Sequence, residues 1–198
     1  MNRILVVCGH PNLAISYANK TILDLREAAP LELEVRRLDR LYGRQSVDVE
    51  AEQEALLSAD LVLLQFPFYW YSVPALLKNW IDEVLTYGFA YGKTGDKLRE
   101  KPLLASLTIS SPEDCYKTLG YNNYTVEEFL CPLKQTALMA QMHWPDPVLS
   151  YEMLYIPGIA GSEEEIVSRA RDHARCLIER LNRIEVAGFD IPLGSKLW

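Results

Sequence analysis

Four aromatic residues, Phe68, Tyr69, Trp70 and Tyr71, crowd the short turn in "LLQFPFYWYSVPALLKNWIDEVLTYGFAYG" (63–92), between an apolar run and an amphipathic helix. Turns are normally polar. Flat apolar surface beside turn N–H groups suits a planar heterocycle, which it can wall, stack against and bond along one edge. A second loop, "GHPNLAISYANK" (9–20), carries His10, Ser16 and Asn19 at the expected start of a helix. Unpaired N–H groups and the positive end of the helix dipole favour a phosphate there. Neither GxGxxG nor GxxxxGK[ST] is present, which disfavours a dinucleotide fingerprint and a triphosphate loop and leaves a monophosphate. A flavin satisfies both loops. The plain alternatives are that Ser16 is only a helix cap, His10 a turn histidine, and the aromatics packing at a junction. A third loop, "TISSPEDCYKTLGYNNY" (108–124), offers Thr108, Ser110, Ser111, Tyr116, Asn122 and Asn123, and its length favours a functional role over a connector.

The elements that must bring these loops together alternate strand with helix along the chain, without a linker, repeat or composition break, so a single α/β domain over 1–198 is expected. "RILVVCG" (3–9), "DLVLLQF" (60–66) and "PLLASLTI" (102–109) are nearly continuous apolar runs, as in parallel strands covered on both faces. "LELEVRRL" (31–38) alternates and should be an edge, and "PVLSYEML" (147–154) should close the other side. Helices are expected over 16–28, 49–58, 73–87, 126–141 and 162–181, with Ser16, Asp48, Ser72, Thr125 and Ser162 near their starts. This pattern fits a five-stranded parallel sheet in the doubly wound order 2-1-3-4-5. Its switch point lies between strands 1 and 3, and the loops at 9–20 and 67–74 leave there.

Charge and composition restrict the partners. The 198 residues include 20 Lys and Arg against 27 Asp and Glu, a net charge of −7, with the basic residues dispersed. Nucleic acid and anionic membrane are therefore poor partners. No apolar stretch reaches the length of a membrane span and "MNRILVV" is too short for a signal peptide, so a cytoplasmic location is expected. Cys8, Cys115, Cys131 and Cys176 lack a CxxC spacing, and the expectation is reduced, mostly buried thiols and no metal site. The helical stripe with Trp80 is core or dimer interface, and His143–Trp144 is expected to be structural.

The three loops together resemble the NAD(P)H:quinone oxidoreductase family of flavodoxin-like flavoproteins. Within it the likeness is to the bacterial branch that includes the ancillary subunits of glutathione-regulated potassium-efflux systems. It runs from Asn2 to about Tyr151 and is strongest over Gln65–Gly92. The resemblance implies a flavin with its phosphate on Ser16, Tyr17, Ala18 and Asn19 near His10, its ring held by Pro67, Phe68, Tyr69 and Trp70, and its edge at the backbone of Thr108, Ile109, Ser110 and Ser111. It implies FMN, with FAD as the alternative, NADH or NADPH as donor, and a homodimer whose partner chain completes the site. Tyr116 matches a position where relatives carry a tyrosine or phenylalanine, and its hydroxyl is expected to bond the flavin or quinone oxygen. Asn122 or Asn123 stands where relatives often carry a histidine, and can donate a hydrogen bond without becoming cationic. Where relatives read Thr-Thr-Gly-Gly this chain reads Thr108-Ile109-Ser110-Ser111-Pro112, a departure that bears on catalytic vigour more than on flavin binding.

Two functions follow. In one, hydride passes from a nicotinamide to the flavin N5 and two electrons then reduce a quinone entering the same slot. In the other, the protein is a regulatory subunit on a membrane potassium-efflux transporter, peripheral at the inner membrane through that partner, with redox chemistry secondary or absent. Reduction of azo or nitro compounds is a third reading.

Overall fold

The computed structural model describes residues 3–24, 31–43 and 45–187. Five parallel strands, β1 (Arg3–Cys8), β2 (Glu32–Arg37), β3 (Leu61–Pro67), β4 (Leu103–Thr108) and β5 (Val148–Ser150), lie in the order β2-β1-β3-β4-β5. This is the doubly wound order that the alternation of the sequence predicts. The apolar runs are indeed central: every residue of β3 and β4 is buried. β2 lies at an edge, with its residues only partly covered.

Successive side chains of each strand go to opposite faces. Leu5, Val7, Val62, Leu64, Phe66, Ala105 and Leu107 join a core with α2 (Leu38–Leu41), α3 (Val49–Ser58) and α4 (Ala75–Val84). Two further helices, α5 (Val126–Phe129) and α6 (Cys131–Met139), reach the same core through Val126, Leu133 and Ala137. Ile4, Val6, Leu61, Leu63, Leu104 and Val148 join the other core with α1 (Tyr17–Leu23) and α7 (Glu163–Ala187).

Several boundaries differ from the periodicity. The helix predicted over 16–28 is seen as α1, capped by Ser16, and residues 25–28 lie outside the described residues. The helix predicted over 126–141 divides at Leu130, where Pro132 opens α6 and a Thr125–Glu128 capping box opens α5. Ser72, expected near the start of α4, does not cap it; Pro74 occupies that place and Ser72 closes the preceding turn. Two of the four cysteines, Cys131 and Cys176, are exposed rather than buried.

Trp80 is 2% exposed and lies inside the core, so it is not interface surface. Its indole N–H donates to Glu52 Oε2 (2.9 Å), a fully buried carboxylate that also accepts from Tyr42 (2.6 Å) and Arg36. A charge buried this deeply is tolerable only when its oxygens are filled, and these donors link β2, α2, α3 and α4 through one side chain. The backbone of His143 extends the sheet beside β4, accepting from Leu103 N–H and donating to Lys101 C=O, and its side chain is buried.

Candidate functional site

The loops after β1, β3, β4 and β5 share the carboxyl end of the sheet. The first is drawn tight. Gly9 donates to Gln65 C=O (2.9 Å), and a Cβ at Gly9 would stand 2.7 Å from the Cβ of Leu77, so only glycine lets β1 turn out beside α4. His10 is buried, and its Nδ1 accepts the Asn12 N–H (3.1 Å). In the neutral ring that bond leaves the hydrogen on Nε2. Burial holds the His10 pKa below its ordinary value, against the pull of Asp39. Asp39, itself paired with Arg37 at 2.7 Å, accepts the Leu13 N–H (3.1 Å) and pins the middle of the loop. Ser16 Oγ accepts from Asn19 N–H (3.1 Å), while the amides of Tyr17 and Ala18 belong to the first turn of α1, where helical partners are missing. The Asn19 side chain is committed elsewhere: it bonds Gln65 and Thr108 inside the protein.

The aromatic turn after β3 is a two-residue hairpin. Tyr69 and Ser72 exchange backbone hydrogen bonds (3.1 and 3.0 Å), and the central Trp70 and Tyr71 have φ of +46° and +62°. Such a turn normally uses Asn-Gly, because a side chain in the left-handed region costs roughly 1–2 kcal/mol. Two large aromatics held there mark a place where surrounding structure imposes the conformation, a hallmark of functional sites. The four aromatics then separate. Phe68 is buried and Tyr71 stacks on Phe129 (4.9 Å, 27°), whereas Tyr69 stands at the rim, edge-on to His10 (6.4 Å), and Trp70 is 92% exposed.

Around Phe68 and Tyr71 gather Tyr116, Phe129, Tyr124 and Tyr151, with ring separations near 6 Å such as Phe68–Tyr116 (6.2 Å) and Tyr116–Tyr151 (5.9 Å). Burial raises the Tyr116 pKa, a bond to Ser111 opposing it. Burial, with Glu127 and Glu113 nearby, pushes Tyr151 up to about 12. Both phenols therefore remain protonated donors through the physiological range. Asn122 Oδ1 accepts from Tyr71 O–H (3.2 Å), and its Nδ2 is buried with no partner among the described residues. An orphaned buried amide costs about 1–3 kcal/mol, which makes it a candidate for a group that a ligand satisfies.

The loop after β4 is more committed than its sequence suggests. Thr108 C=O accepts from Phe68, Ile109 N–H donates to Ser150, Ile109 C=O accepts from Met153, and Ser111 C=O accepts from Glu152. Ile109 is completely buried. Of the four residues expected at a flavin edge, Ile109 has its N–H committed to Ser150, whereas neither the Ser110 nor the Ser111 N–H is used in these bonds. The structure thus brings His10, Ser16–Ala18, Pro67–Trp70, Ser110, Ser111, Tyr116 and Asn122 to one end of the sheet, and it commits the Asn19 side chain to Gln65 and Thr108. Phe129 and Tyr151 were not singled out by sequence, since each sits in a predicted helix or strand with nothing local to distinguish it. Gln65 and Ser106 did carry a signal, as polar residues inside otherwise apolar strands.

The residues fit a flavin mononucleotide. The turn N–H groups of Trp70 and Tyr71, an aromatic wall and a buried amide unpartnered among the described residues suit the ring, and the first-turn amides of α1 suit a phosphate. Residues 2–175 match a family described as flavodoxin-like fold. The chain is 36% identical over 173 residues to a Bacillus subtilis protein named uncharacterized NAD(P)H oxidoreductase YdeQ, covering 87% of this chain and 85% of the relative. It is 38% identical over 177 residues to the glutathione-regulated potassium-efflux system ancillary protein KefF of Klebsiella pneumoniae, covering 89% of this chain and 95% of the relative. Among solved structures it resembles general stress protein 14 of Treponema denticola in complex with FMN. That likeness has a TM-score of 0.78 and 31% identity, over 89% of this chain and 98% of the other.

Proposed function

The chain belongs to the family of flavodoxin-like fold, and from that premise we propose that it is an FMN-dependent NAD(P)H:quinone oxidoreductase. The observation that carries the reading is the left-handed Trp70–Tyr71 hairpin set against an aromatic nest that holds the orphaned Asn122 amide. Named relatives support oxidoreductase chemistry, and the FMN complex of a similar chain supports the cofactor.

When bound, the flavin supplies two-electron hydride chemistry between a nicotinamide and an acceptor. The chain's part is to hold and polarise. The amides of Tyr17 and Ala18, the Ser16 hydroxyl and the Nε2–H of His10 hold the phosphate, the last without adding charge. Pro67 to Trp70 hold the ring through turn N–H groups and the Phe68 and Tyr69 surfaces. Ser110 and Ser111 offer N–H donors to its edge. Tyr116, kept protonated by burial, donates to a ligand oxygen as negative charge develops there, and Asn122 Nδ2 gains the partner it lacks. The exposed pair Tyr87 and Tyr91 (5.9 Å, edge to face) suits the homodimer surface that completes the site.

Initial rates with NADH or NADPH and a soluble benzoquinone, varied together, are the test. Donor and acceptor sharing one slot gives parallel double-reciprocal lines, and no FMN-stimulated turnover with any donor contradicts the reading. A second reading, a regulatory subunit of a potassium-efflux transporter, is favoured by the KefF likeness and by the committed backbone of 108–111. Among the described residues no helix is long and apolar enough to cross a membrane, so attachment under that reading runs through the transporter. Normal FMN binding without quinone turnover, together with co-purification with membranes, distinguishes it.

A further inference from the structure

A row of buried polar side chains crosses the sheet below the site. Ser150 Oγ meets His173 Nδ1 (2.8 Å), and His173 Nε2 meets Ser106 Oγ (2.7 Å). Ser106 donates to Gln65 Oε1 (2.6 Å), Gln65 Nε2 donates to Asn19 Oδ1 (2.8 Å), and Asn19 Nδ2 donates to Thr108 Oγ1 (3.0 Å). All but Ser150 are buried, and His173 is 1% exposed. Burial holds its imidazole down to about 4, so the ring is neutral at physiological pH.

With the Gln65 and Asn19 amides oriented as they stand in the structure, counting protons gives the direction of the row. Ser106 has one hydroxyl hydrogen and gives it to Gln65, so it must accept from His173, and Nε2 carries the ring hydrogen. Nδ1 is then bare and accepts from Ser150. At the far end Thr108 accepts from Asn19, which leaves its own hydroxyl hydrogen for an acceptor outside the row. The last two members of the row matter to the site. Asn19 lies in the first turn of α1 with its N–H on Ser16, and Thr108 ends β4 with its carbonyl on Phe68.

We propose that His173, on α7 and remote from the loops, is a positioning residue whose Nε2–H tautomer fixes the row so that Asn19 is locked beneath the phosphate loop and Thr108 presents a donor at the carboxyl edge of the sheet. The consequence for the ligand rests on the FMN reading above; the row and its direction do not. Turning both amides over would reverse every bond, place the hydrogen on Nδ1 and make Thr108 an acceptor, so the tautomer reports the polarity at the site. Double-mutant additivity is not expected between members of such a row, because each fixes the next.

Nitrogen-15 NMR of the His173 ring in the free full-length protein reads the tautomer directly, alongside FMN titrations of wild type, His173→Leu and His173→Gln. The expected results are an Nε2–H ring, an FMN Kd raised about tenfold by leucine through loss of an oriented hydrogen-bond row, and most of that loss recovered by glutamine, which keeps a donor and an acceptor. An Nδ1–H ring overturns the proposal whether or not the leucine variant folds, and so does a folded leucine variant that binds FMN like wild type. An Nε2–H ring in a wild-type protein that binds no FMN overturns the proposed function and the ligand half of this inference, leaving the row's direction standing.

Discussion

The Asn122 amide is where fold and function pull apart. One half is bonded to Tyr71 and the other is buried without a partner among the described residues, an arrangement that weakens the free protein. Replacing Asn122 with Leu should leave stability within about 1 kcal/mol of wild type or raise it, since an unsatisfied donor disappears along with the Tyr71 bond. Quinone turnover should fall by about tenfold if a ligand supplies the missing partner. Thermal melts and kcat measured on the same preparation check both halves, and equal turnover with a lower melting temperature would make Asn122 purely structural. The residue was legible in the sequence as a polar position in a long loop, and so was Tyr116. Their neighbours Phe129 and Tyr151 were not, because an aromatic on a short helix or at a strand end looks like core until the strand order places it beside the loops. Asn19 shows the converse: a good phosphate-loop residue by type, it spends its side chain on Gln65 and Thr108.

At the scale of elements, the 69–72 hairpin carries the site. Its central residues sit at positive φ without glycine, so Trp70→Gly should relieve roughly 1 kcal/mol of backbone strain at a position whose side chain is almost fully exposed. The variant should melt at or above the wild-type temperature and bind FMN more weakly; a drop of more than about 2 kcal/mol in stability would show instead that the indole is packed in the functional assembly. The Glu52 node makes a prediction of opposite sign. Glu52→Leu leaves the Arg36 guanidinium partly buried without its carboxylate, and urea titration should report a loss of about 3–5 kcal/mol. Strand and helix identities were legible from periodicity because β3 and β4 are buried on both faces and β2 is not. The hairpin was not, because Ser72 and Pro74 before an amphipathic run read as a helix start. The positive φ of Trp70 and Tyr71 and the paired Tyr69–Ser72 hydrogen bonds show that the chain first folds back on itself.

Across the whole molecule, the two cores and the strand order deliver four loops to one end, and a polar row ties α7 to α1 through the sheet. That row gives the fold an acid limit. His173 has a folded pKa of about 4, below the ordinary value near 6.5 that the unfolded chain recovers. Between those values the unfolded state takes up a proton that the folded state refuses, so stability is lost as pH falls from about 6.5 to about 4 and levels off below, by up to about 3 kcal/mol. Urea midpoints across that range should flatten in His173→Gln relative to wild type, and parallel curves would show that other groups set the acid limit. The strand order was readable because connections in such folds are regular. The row was not, since His173 lies 67 positions from Ser106 and nothing local marks either as its partner. Whether this end of the sheet holds a reducible flavin is read from the visible spectrum of the purified protein with FMN, followed by anaerobic NADH and then NADPH. A bound isoalloxazine band that bleaches with at least one donor is the expected result. A protein that leaves FMN free in solution would contradict it, and would make the aromatic hairpin a structural turn.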